Sequence, residues 1–360
     1  MNGRGANILP AEPKAAIIGT GLMGGSLGLA LRRDGWYVTG WDEDPERREQ
    51  ALELGVLDEL EERPVADLTF LAVPVRSVPE LAVAALERGG IVTDIASVKA
   101  PVVAAVDHPR FIGGHPMAGS EAVGVRGANA DLFTGAVWVL TPTVATDPQA
   151  QALVHSVVRS IGAEVLTLDA AQHDRLVATV SHVPHLMAAM LMGLAADRAV
   201  EHSALLRLAA GGFRDMTRIA SGDPRMWLDV CAENRDAILG VLDEFAGRLA
   251  DMRAVVEAGD SEGLRERLSA AQQARRSLPI GVPEVENLAE VAVPIPDRPG
   301  ELAAVTALAT SLAINVYDIE VVHSAAEQGG RLLLVVDAAR AGELAVALQD
   351  SGRRVTVNDL

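Results

Sequence analysis

Short apolar runs alternate with stretches of helical periodicity over the first 168 residues of the chain. The apolar runs predict strands at Ala15–Ile18, Trp36–Gly40, Leu68–Val73, Ile91–Ile95, Phe111–Gly113, Ala136–Leu140 and Glu164–Leu168. Strands that alternate with helices are joined by right-handed crossovers and form a mostly parallel sheet with helices on both faces. Residues 1–168 are therefore predicted to form a doubly wound α/β domain, with its ligand crevice beyond the carboxyl ends of the strands.

The strand signals stop after residue 168, and residues 169–278 are predicted to form an all-helical domain. One part of it, Leu176–Ala196, carries no Asp, Glu, Lys or Arg and is long enough to span a bilayer, which takes about 20 residues. It also contains Ser181, His182 and His185, whose burial in hydrocarbon would be costly. We therefore expect no membrane span but a helix buried between two protein surfaces in a homodimer.

Proline and glycine residues punctuate residues 279–288, which are predicted to be a linker. Beyond it, the pattern predicts strands at Ala289–Val293, Ile314–Val322, Arg331–Val336 and Arg353–Val357, with helices from Gly300 and over Ala341–Ser351. This βαββαβ order predicts a ferredoxin-like domain over residues 289–360.

The charge balance and the cysteine content exclude several classes of protein. The chain has 31 Lys and Arg against 49 Asp and Glu, a net charge of −18, and it has no basic tract. Such a surface would repel a phosphate backbone, so we expect no nucleic-acid partner. Cys231 is the sole cysteine, which excludes an intrachain disulfide and a cysteine-cluster metal site. The N-terminal segment lacks the pattern of a signal peptide, and we predict a cytoplasmic location.

A glycine-rich motif directly follows the first predicted strand and opens the first helix. The motif is Gly19-Thr20-Gly21-Leu22-Met23-Gly24. Its glycines permit a tight turn and a close approach of the backbone to a pyrophosphate, toward which the amides at the helix N-terminus point. Asp42 ends the next strand, eighteen residues after Gly24, where a carboxylate can accept a hydrogen bond from a ribose 2′-hydroxyl. The flanks and the spacing predict a dinucleotide-binding Rossmann domain rather than an incidental glycine turn.

The acidic residue favours NAD over NADP, because the carboxylate of Asp42 would repel a 2′-phosphate. Arg47 and Arg48 could partly reverse this preference, although a solvated helix face is the simpler interpretation of both. Val73 and Pro74 end a predicted strand and are expected to flank the cofactor crevice, or else only to stop the strand.

His115 lies in the segment Gly113–Glu121, which follows the short Phe111–Gly113 strand on the crevice side of the sheet. Glycines on both sides would let a ligand approach it, and a neutral imidazole can accept a hydroxyl proton near pH 7. We predict a catalytic role for His115; the alternative is a histidine that only caps a turn. Ser97 follows the preceding strand, so its hydroxyl can bind His115 or a substrate, or cap the helix that starts near Lys99.

The helical domain carries two further groups of polar residues. His182 and His185 are three apart on one helical face. They could ligate zinc, but no third ligand is evident, so we expect no metal and favour binding of a substrate carboxylate. Arg214 and Arg218 place two positive charges on one face, which an anionic ligand would offset. The alternative is a surface pair between Asp215 and Arg218, which would be worth little.

Five motifs occur in order between Lys14 and Arg276 and together resemble the prephenate dehydrogenase family. They are GTGLMGGS, DIASVK, GGHPMAGSE, VSHVPH and GGFRDMTRIASGDPRMW. The resemblance implies a Rossmann domain followed by a helical domain that dimerises and shares the active site. It also implies that prephenate is oxidised at its ring carbinol with NAD as hydride acceptor, while the ring carboxylate leaves as carbon dioxide and 4-hydroxyphenylpyruvate forms.

The resemblance further implies roles for individual residues. His115 is implied to bind the ring 4-hydroxyl and to accept its proton, with Ser97 orienting it. Arg218 is implied to grip a substrate carboxylate, for which a bidentate guanidinium is well suited, with His185 on the other side. The other residues assigned to the pocket in this way are Gly211, Trp227, Glu121, Arg214 and His182.

The segment Asp297–Leu302, between the first strand and the first helix of residues 289–360, resembles an ACT domain. Such domains commonly bind amino acids at paired interfaces. The resemblance therefore implies feedback by tyrosine, with Gly300 and Asn315 as candidate contacts. A purely structural or degenerate ACT module is the alternative.

Two other functions are compatible with the sequence. The same chemistry on arogenate, which carries an amine where prephenate has a keto group, would give tyrosine directly, and Glu121 could attract that amine. A protein of another class, a non-catalytic sensor that binds NAD in its first domain and an amino acid in its last, is disfavoured by the intact His115 motif and the paired arginines.

Overall fold

The computed structural model describes residues 12–119, 122–202, 204–277, 288–296, 298–323 and 329–359. The chain divides into two compact units, Met1–Gly259 and Asp260–Leu360, which are described separately below. Of the predicted features, Glu121, residues 279–287 of the linker and Asp297, the first residue of the ACT-like segment, lie outside the described residues. The domain limits drawn from the sequence stay predictions.

The first unit contains an eight-stranded sheet. Its strands are β1 (Lys14–Ile18), β2 (Tyr37–Trp41), β3 (Glu59–Leu60), β4 (Leu68–Leu71), β5 (Ile91–Asp94), β6 (Phe111–Pro116), β7 (Val137–Thr141) and β8 (Glu164–Thr167). Their order is β3-β2-β1-β4-β5-β6-β7-β8, and every neighbouring pair is parallel except β6 and β7. The predicted doubly wound, mostly parallel sheet is confirmed, and the two-residue β3 is an addition to it.

Helices cover both faces of this sheet. They are α1 (Leu22–Arg33), α2 (Pro45–Glu53), α3 (Val78–Arg88), α4 (Ala100–Ala105) and α5 (Pro148–Ser160). Consecutive side chains of a strand point to opposite faces, and Phe70 and Leu71 of β4 accordingly belong to two different buried apolar clusters. The first cluster includes Leu27 and Trp138, and the second includes Val78. Burial of β4 on both faces explains why it is uniformly apolar or threonine.

The strand order changes direction at β1, which pairs with β2 on one side and β4 on the other. In doubly wound sheets, the crevice beyond the carboxyl ends of the strands at such a point is where ligands bind. The segments that begin at Gly19 and Ala72 leave the sheet there. Strands β4, β5 and β6 run parallel to β1, so their carboxyl ends lie at the same edge.

The rest of the first unit is helical, as predicted. Its helices are α6 (Ala170–Val177), α7 (Val183–Glu201), α8 (Gly211–Thr217), α9 (Pro224–Glu233) and α10 (Arg235–Glu257). A π-helical turn, Ala178–His182, joins α6 to α7. Pro184 follows the π turn directly, in the first turn of α7, so the residue that lacks a backbone N–H lies where the helix changes from π to α.

The segment Ala170–Val200 is long and apolar enough to cross a membrane by length and composition, and 28% of its most apolar stretch is buried within the chain. Its buried residues include His173 and Asp174. Their side chains are hydrogen-bonded to Lys99, Ala100 and His115 of the Rossmann part. Its exposed side chains include Met190 and Leu194. The inner side of this segment therefore packs on its own chain, and the outer side is apolar and uncovered within one chain.

The second unit begins with α11 (Ser261–Arg276). It continues with β9 (Leu288–Pro296), α12 (Glu301–Ser311), β10 (Val316–His323), β11 (Gly329–Asp337), α13 (Ala338–Asp350) and β12 (Thr356–Asp359). The four strands form an antiparallel sheet in the order β10-β11-β9-β12, over a core that includes Val291, Leu332 and Leu344. From β9 onward the elements follow the predicted βαββαβ order. Strand β9 already begins at Leu288, which the sequence analysis assigned to the linker.

Candidate active site

The glycine motif forms the tight turn between β1 and α1. Gly19 has a φ of +92°, a left-handed conformation that favours glycine, and a Cβ on it would collide with the carbonyl oxygen of Ala72. A Cβ on Gly24 would collide with the carbonyl oxygen of Gly19. By contrast, a Cβ on Gly21, the residue before α1, would point into open space. Gly19 and Gly24 are thus required by packing, whereas Gly21 leaves room for a ligand.

Asp42 fastens this turn to the end of β2. Its Oδ2 accepts hydrogen bonds from the amide of Thr20 at 2.7 Å and from the Thr20 hydroxyl at 3.3 Å, and its Oδ1 accepts one from the amide of Asp44 at 3.0 Å. Arg47 lies 4.0 Å from the same carboxylate. Arg48 stacks on the ring of Trp41 and donates to the Asp42 carbonyl instead. Asp42 therefore orders the turn in addition to any contact with a ribose.

The turn suits a dinucleotide. The first amides of α1, those of Leu22, Met23 and Gly24, have no acceptor within the helix because they lie in its first turn, and they open onto the space beside Gly21. Such amides and the helix dipole favour a pyrophosphate. The carboxylate of Asp42 lies at the end of the neighbouring strand, as ribose recognition requires.

Val73 and Pro74 follow the carboxyl end of β4, next to β1, and their contact with the cofactor stays a prediction. Cγ1 of Val73 would touch a Cβ on Gly19. The short 3₁₀ turn that follows, Val75–Ser77, carries Arg76, whose Nε lies 3.0 Å from Glu233 and 3.3 Å from Asp229 of α9. The cofactor side of the crevice is thereby linked to the helical part of the unit.

The sequence predicted a glycine loop around His115, but the residue lies inside strand β6. The antiparallel partner β7 extends the pairing, with His115 opposite Val139, so β6 runs on to Pro116. The glycines before it serve the sheet rather than a ligand: a Cβ on Gly113 would meet the side chain of Thr141, and a Cβ on Gly114 would meet the carbonyl oxygen of Asp94. The side chain of His115 is consequently 9% exposed.

A hydrogen-bonded chain leads inward from His115. Its Nδ1 lies 2.8 Å from Nε2 of His173, and Nδ1 of His173 lies 2.8 Å from Oδ1 of Asp174. His173 is fully buried and Asp174 is 4% exposed. Neither residue was predicted, because nothing local to residues 173 and 174 marks a contact with a strand 58 positions earlier.

Asp174 also caps α4 from a distance. Its carboxylate accepts hydrogen bonds from the amides of Lys99 and Ala100, each at 2.8 Å. Ser97 makes no side-chain hydrogen bond to this helix end, so the cap, one of the alternatives for Ser97, is wrong: Asp174 occupies that position. Among the described residues, Ser97 also makes no hydrogen bond to His115, although it lies half-buried at the rim after β5.

A buried ion pair lies behind His115. The ammonium of Lys99 contacts Oδ2 of Asp94, and both side chains are fully buried. The same carboxylate accepts hydrogen bonds from the amides of Ala96 and Gly114, so it holds β6 beside β5. A buried carboxylate needs such partners, and Lys99 supplies the compensating charge.

This environment keeps His115 neutral. Burial lowers the pKa of His115 well below its ordinary value of 6.5, and the nearby Lys99, His173 and His182 lower it further. Burial also lowers the pKa of Lys99, an effect that Asp94 opposes. A neutral imidazole is the form that can accept a proton.

His182 belongs to the same buried cluster. Its Nδ1 lies 3.1 Å from Nδ2 of Asn234, and the other N–H of that amide donates to the carbonyl of Asp174 at 2.9 Å. Burial lowers the pKa of His182 to about 4, although Asp174 raises it. Because Asn234 donates to Nδ1, the neutral ring carries its proton on Nε2. Asn234 was not predicted, since it lies 52 positions from His182.

His185 forms a stacked pair with Trp227. Their ring centroids are 3.6 Å apart with an interplanar angle of 14°. Gly222 makes the pair possible, because a Cβ there would lie 3.1 Å from His185 and 3.2 Å from Trp227. Burial lowers the pKa of His185, so the ring is neutral near pH 7. His185 and Trp227, which the resemblance assigns to the pocket, are thus in contact with each other, and Gly222, which was not predicted, lies against both.

The predicted arginines lie next to this pair along the chain. Arg214 is on α8 and Arg218 begins the 3₁₀ turn Arg218–Ser221, which leads directly into Gly222. Both arginines and Gly211 are exposed in the single chain. Among the described residues, no group of three His, Cys, Asp or Glu side chains is arranged to hold a metal ion.

Two family models match the chain. The one described as prephenate dehydrogenase, nucleotide-binding domain, matches residues 27–167. The one described as prephenate dehydrogenase, dimerization domain, matches residues 169–270. Together they cover more than half of the 360 residues.

Known relatives and solved structures agree with these matches. The prephenate dehydrogenase of Bacillus subtilis (strain 168) is 33% identical over 336 residues, 88% of this chain and 90% of the relative, so the match extends into the C-terminal unit. Prephenate dehydrogenase from A. aeolicus, solved with hydroxyphenyl propionate and NAD+, has a TM-score of 0.70 and 32% identity over 74% of this chain and 98% of that one. Synechocystis arogenate dehydrogenase has a TM-score of 0.64 and 32% identity over 73% of this chain and 98% of that one.

Proposed function

We propose, because this chain belongs to the prephenate dehydrogenase family, that it catalyses the NAD-dependent oxidative decarboxylation of prephenate to 4-hydroxyphenylpyruvate, a step of tyrosine biosynthesis. The observation that carries the proposal is the arrangement at one edge of the sheet. The glycine turn follows the carboxyl end of β1, and the neutral His115 is the second-last residue of β6, whose carboxyl end lies at the same edge of the sheet. A nicotinamide ring and a proton acceptor can therefore serve one substrate.

NAD, when bound, takes a hydride from the ring carbon that bears the hydroxyl, and loss of the ring carboxylate as carbon dioxide then leaves an aromatic ring. In our proposal, His115 accepts the proton of that hydroxyl on Nε2 and can return it to the phenolic oxygen of the product. His115 is only 9% exposed, which limits the access of water to the ring. Ser97, half-buried at the same rim, is proposed to orient the substrate hydroxyl rather than to hold His115.

The remaining substrate contacts are proposed on the helical part of the unit. Arg218 and Arg214 supply positive charge for the two carboxylates of prephenate, and a guanidinium can grip a carboxylate in bidentate fashion. His185, neutral and stacked on Trp227, would contribute a hydrogen bond and a flat wall rather than charge. Gly211 and His182 stay proposed pocket residues, as does Glu121, which lies outside the described part of the chain.

Arogenate is the alternative substrate for the same residues. Solved structures at the same identity, 32%, carry the names prephenate dehydrogenase and arogenate dehydrogenase. The non-catalytic sensor is disfavoured, because NAD binding alone does not require a buried neutral histidine at the same edge of the sheet as the glycine turn.

The test is NADH formation by the purified protein with NAD and either prephenate or arogenate at subsaturating concentration. We expect the larger kcat/KM with prephenate. Arg218→Ala should mainly raise KM, and His115→Asn should mainly lower kcat. Turnover of arogenate alone would change the substrate and keep the mechanism, whereas turnover of neither substrate would contradict the proposed function.

We further propose that residues 289–360 form an ACT-like regulatory module that binds tyrosine. Gly300, with a φ of +92°, precedes α12, and Asn315 is exposed just before β10, which leaves both accessible to a small ligand. Tyrosine should slow NADH formation by the full-length protein, and Asn315→Ala should weaken that effect without changing the uninhibited rate. Equal sensitivity in both proteins would argue against Asn315 as a contact.

The oligomer and the location are also proposals. The uncovered apolar side of α7 and the match of residues 169–270 to a dimerization-domain model support a homodimer. A substrate and a cofactor that are both small metabolites, together with a single cysteine, support a cytoplasmic location.

A further inference from the structure

The protons on the hydrogen-bonded chain from His115 to Asp174 can be placed from the outer end inward. The carboxylate of Asp174 accepts the amide N–H groups of Lys99 and Ala100, and an ionised carboxylate can only accept. The third partner of this carboxylate, Nδ1 of His173, must therefore be the donor. His173 thus carries a proton on Nδ1.

The second step fixes the ring of His115. With its proton on Nδ1, a neutral His173 has a lone pair on Nε2, and this atom lies 2.8 Å from Nδ1 of His115. Nδ1 of His115 must then donate, so the single proton of the neutral His115 ring is on Nδ1. Its Nε2 is left as an acceptor.

We propose that His173 and Asp174 are positioning residues that hold His115 as the Nδ1–H tautomer, so that Nε2 is the acceptor available to the substrate hydroxyl. This inference rests on the proposed function for its consequence, but not for its geometry. A neutral imidazole without such partners is free to carry its proton on either nitrogen, and the form with a proton on Nε2 cannot accept the substrate proton.

The chain also assists once the proton has moved. The imidazolium of His115 keeps its hydrogen bond from Nδ1 to His173, and His173 keeps its own to the carboxylate of Asp174. The negative charge of Asp174 thereby partly offsets the cost of a positive charge in a buried site next to Lys99. Orientation of a catalytic base by a third group works in the same way in other enzymes.

The competing arrangement has a distinct signature. If His173 carried protons on both nitrogens, it would donate to Nδ1 of His115, whose own proton would then lie on Nε2. A resting enzyme in that state could not accept a proton from a substrate at Nε2. The two arrangements therefore differ in an observable, the protonated nitrogen of His115.

The first measurement is ¹⁵N NMR of the full-length protein labelled at the histidine ring nitrogens, without substrate, at pH 7.5. The His115 signals are identified by their loss in His115→Asn. We expect a protonated Nδ1 and an unprotonated Nε2 for His115. A protonated Nε2 would overturn the proposal whether or not the protein turns over prephenate, so this result is independent of the proposed function.

The second measurement compares two variants of His173 with an exposed histidine as control. His173→Phe keeps a flat ring but removes the acceptor, and we expect kcat to fall about 100-fold with little change in the KM for prephenate. His173→Gln can offer its side-chain carbonyl oxygen to Nδ1 of His115. Its kcat should be at least tenfold higher than that of His173→Phe. His202→Gln, at an exposed position, should match the unmodified protein.

The outcomes separate positioning from a merely structural role. A fall in kcat for His173→Phe accompanied by a proton on Nε2 of His115 supports the proposal. A wild-type kcat in His173→Phe, or a lowered kcat with the His115 tautomer unchanged, overturns it. If His173→Phe does not fold, the proposal is decided by the kcat and the His115 tautomer of His173→Gln, together with the NMR result on the unmodified protein. Absence of turnover in the unmodified protein would instead contradict the proposed function.

Discussion

At the scale of single residues, the environment of His115 determines the pH dependence that we expect. Only the neutral ring can accept a proton, and burial with Lys99 nearby lowers its pKa well below 6.5. Activity should therefore be retained as the pH falls through 6.5 and be lost only at lower pH. The check is kcat/KM for prephenate measured from pH 9 down to pH 4.5, because this quantity reports the ionisation of the free enzyme.

The matched variant for this prediction is His115→Asn. It should lower kcat by about 10²- to 10⁴-fold, the usual contribution of a general base, and it should remove the acid limb that the ring causes. NAD binding should change little, since His115 is on β6 and the glycine turn follows β1. An acid limb that remains unchanged in His115→Asn would assign that limb to another group.

The residues found from the sequence and those missed differ in how far apart their partners lie. The glycine turn and Asp42 were identifiable because a motif and its flanking strand are local in the chain. His173, Asp174 and Asn234 gave no such signal, since each acts on a partner more than 50 positions away. Proximity made the cap of α4 one of the alternatives for Ser97, whereas the folded chain brings in the carboxylate of Asp174 from 74 positions along the sequence.

At the scale of elements, the turn between β1 and α1 separates packing from ligand binding. Gly24→Ala places a Cβ against the carbonyl oxygen of Gly19, and backbone cannot yield easily, so both thermal stability and NAD binding should fall. Gly21→Ala places a Cβ in open space at a φ of −71°, which any residue adopts. It should therefore keep the thermal stability and lose NAD affinity about tenfold or more.

Thermal unfolding of the apo-proteins and titration with NAD check this pair of predictions. The control is that Gly21→Ala has the melting temperature of the unmodified protein. Unchanged NAD affinity in Gly21→Ala would place the pyrophosphate elsewhere.

The π turn between α6 and α7 carries a pH-dependent share of the stability. The pKa of His182 is about 4 in the folded chain and near 6.5 in the unfolded one, so the unfolded chain binds more protons between these values. The free energy of unfolding should therefore fall as the pH drops from 6.5 to 4. One such group contributes a slope of up to about 1.4 kcal/mol per pH unit.

Urea unfolding at pH 6.5, 5.5 and 4.5 measures this slope. His182→Gln should show a shallower decline than the unmodified protein, because it has no ring to protonate. The exposed His202→Gln serves as control and should keep the full slope. Equal slopes in all three proteins would show that His182 is not held neutral by the fold.

Strand β6 shows where prediction of an element from its own residues stops. Residues 111–113 were assigned to a strand and His115 to a glycine loop, since glycines and a proline weaken a local strand signal. The structure extends β6 to Pro116 because β7 pairs with it in antiparallel register. That register is a property of two segments more than 20 positions apart, which the pattern of either one does not contain.

At the scale of the whole molecule, the apolar side of α7 determines the assembly that we expect. Met190 and Leu194 are four residues apart on one face of the helix and are 63% and 57% exposed. Large apolar side chains grouped on one surface mark an interaction site, and a second copy of the chain would cover them.

The expected mass in sedimentation equilibrium is therefore twice the 37.7 kDa of one chain. Leu194→Asp should shift the protein to 37.7 kDa, because the interface would have to bury a charge. Val144→Asp alters a fully exposed apolar residue in the loop after β7 and should leave the dimer intact. If the dimer completes the site, Leu194→Asp should lose turnover while it still binds NAD, whose turn lies within one chain. A fully active Leu194→Asp monomer would contradict the sharing of the site between subunits, and an unmodified protein with a mass of 37.7 kDa would contradict the dimer.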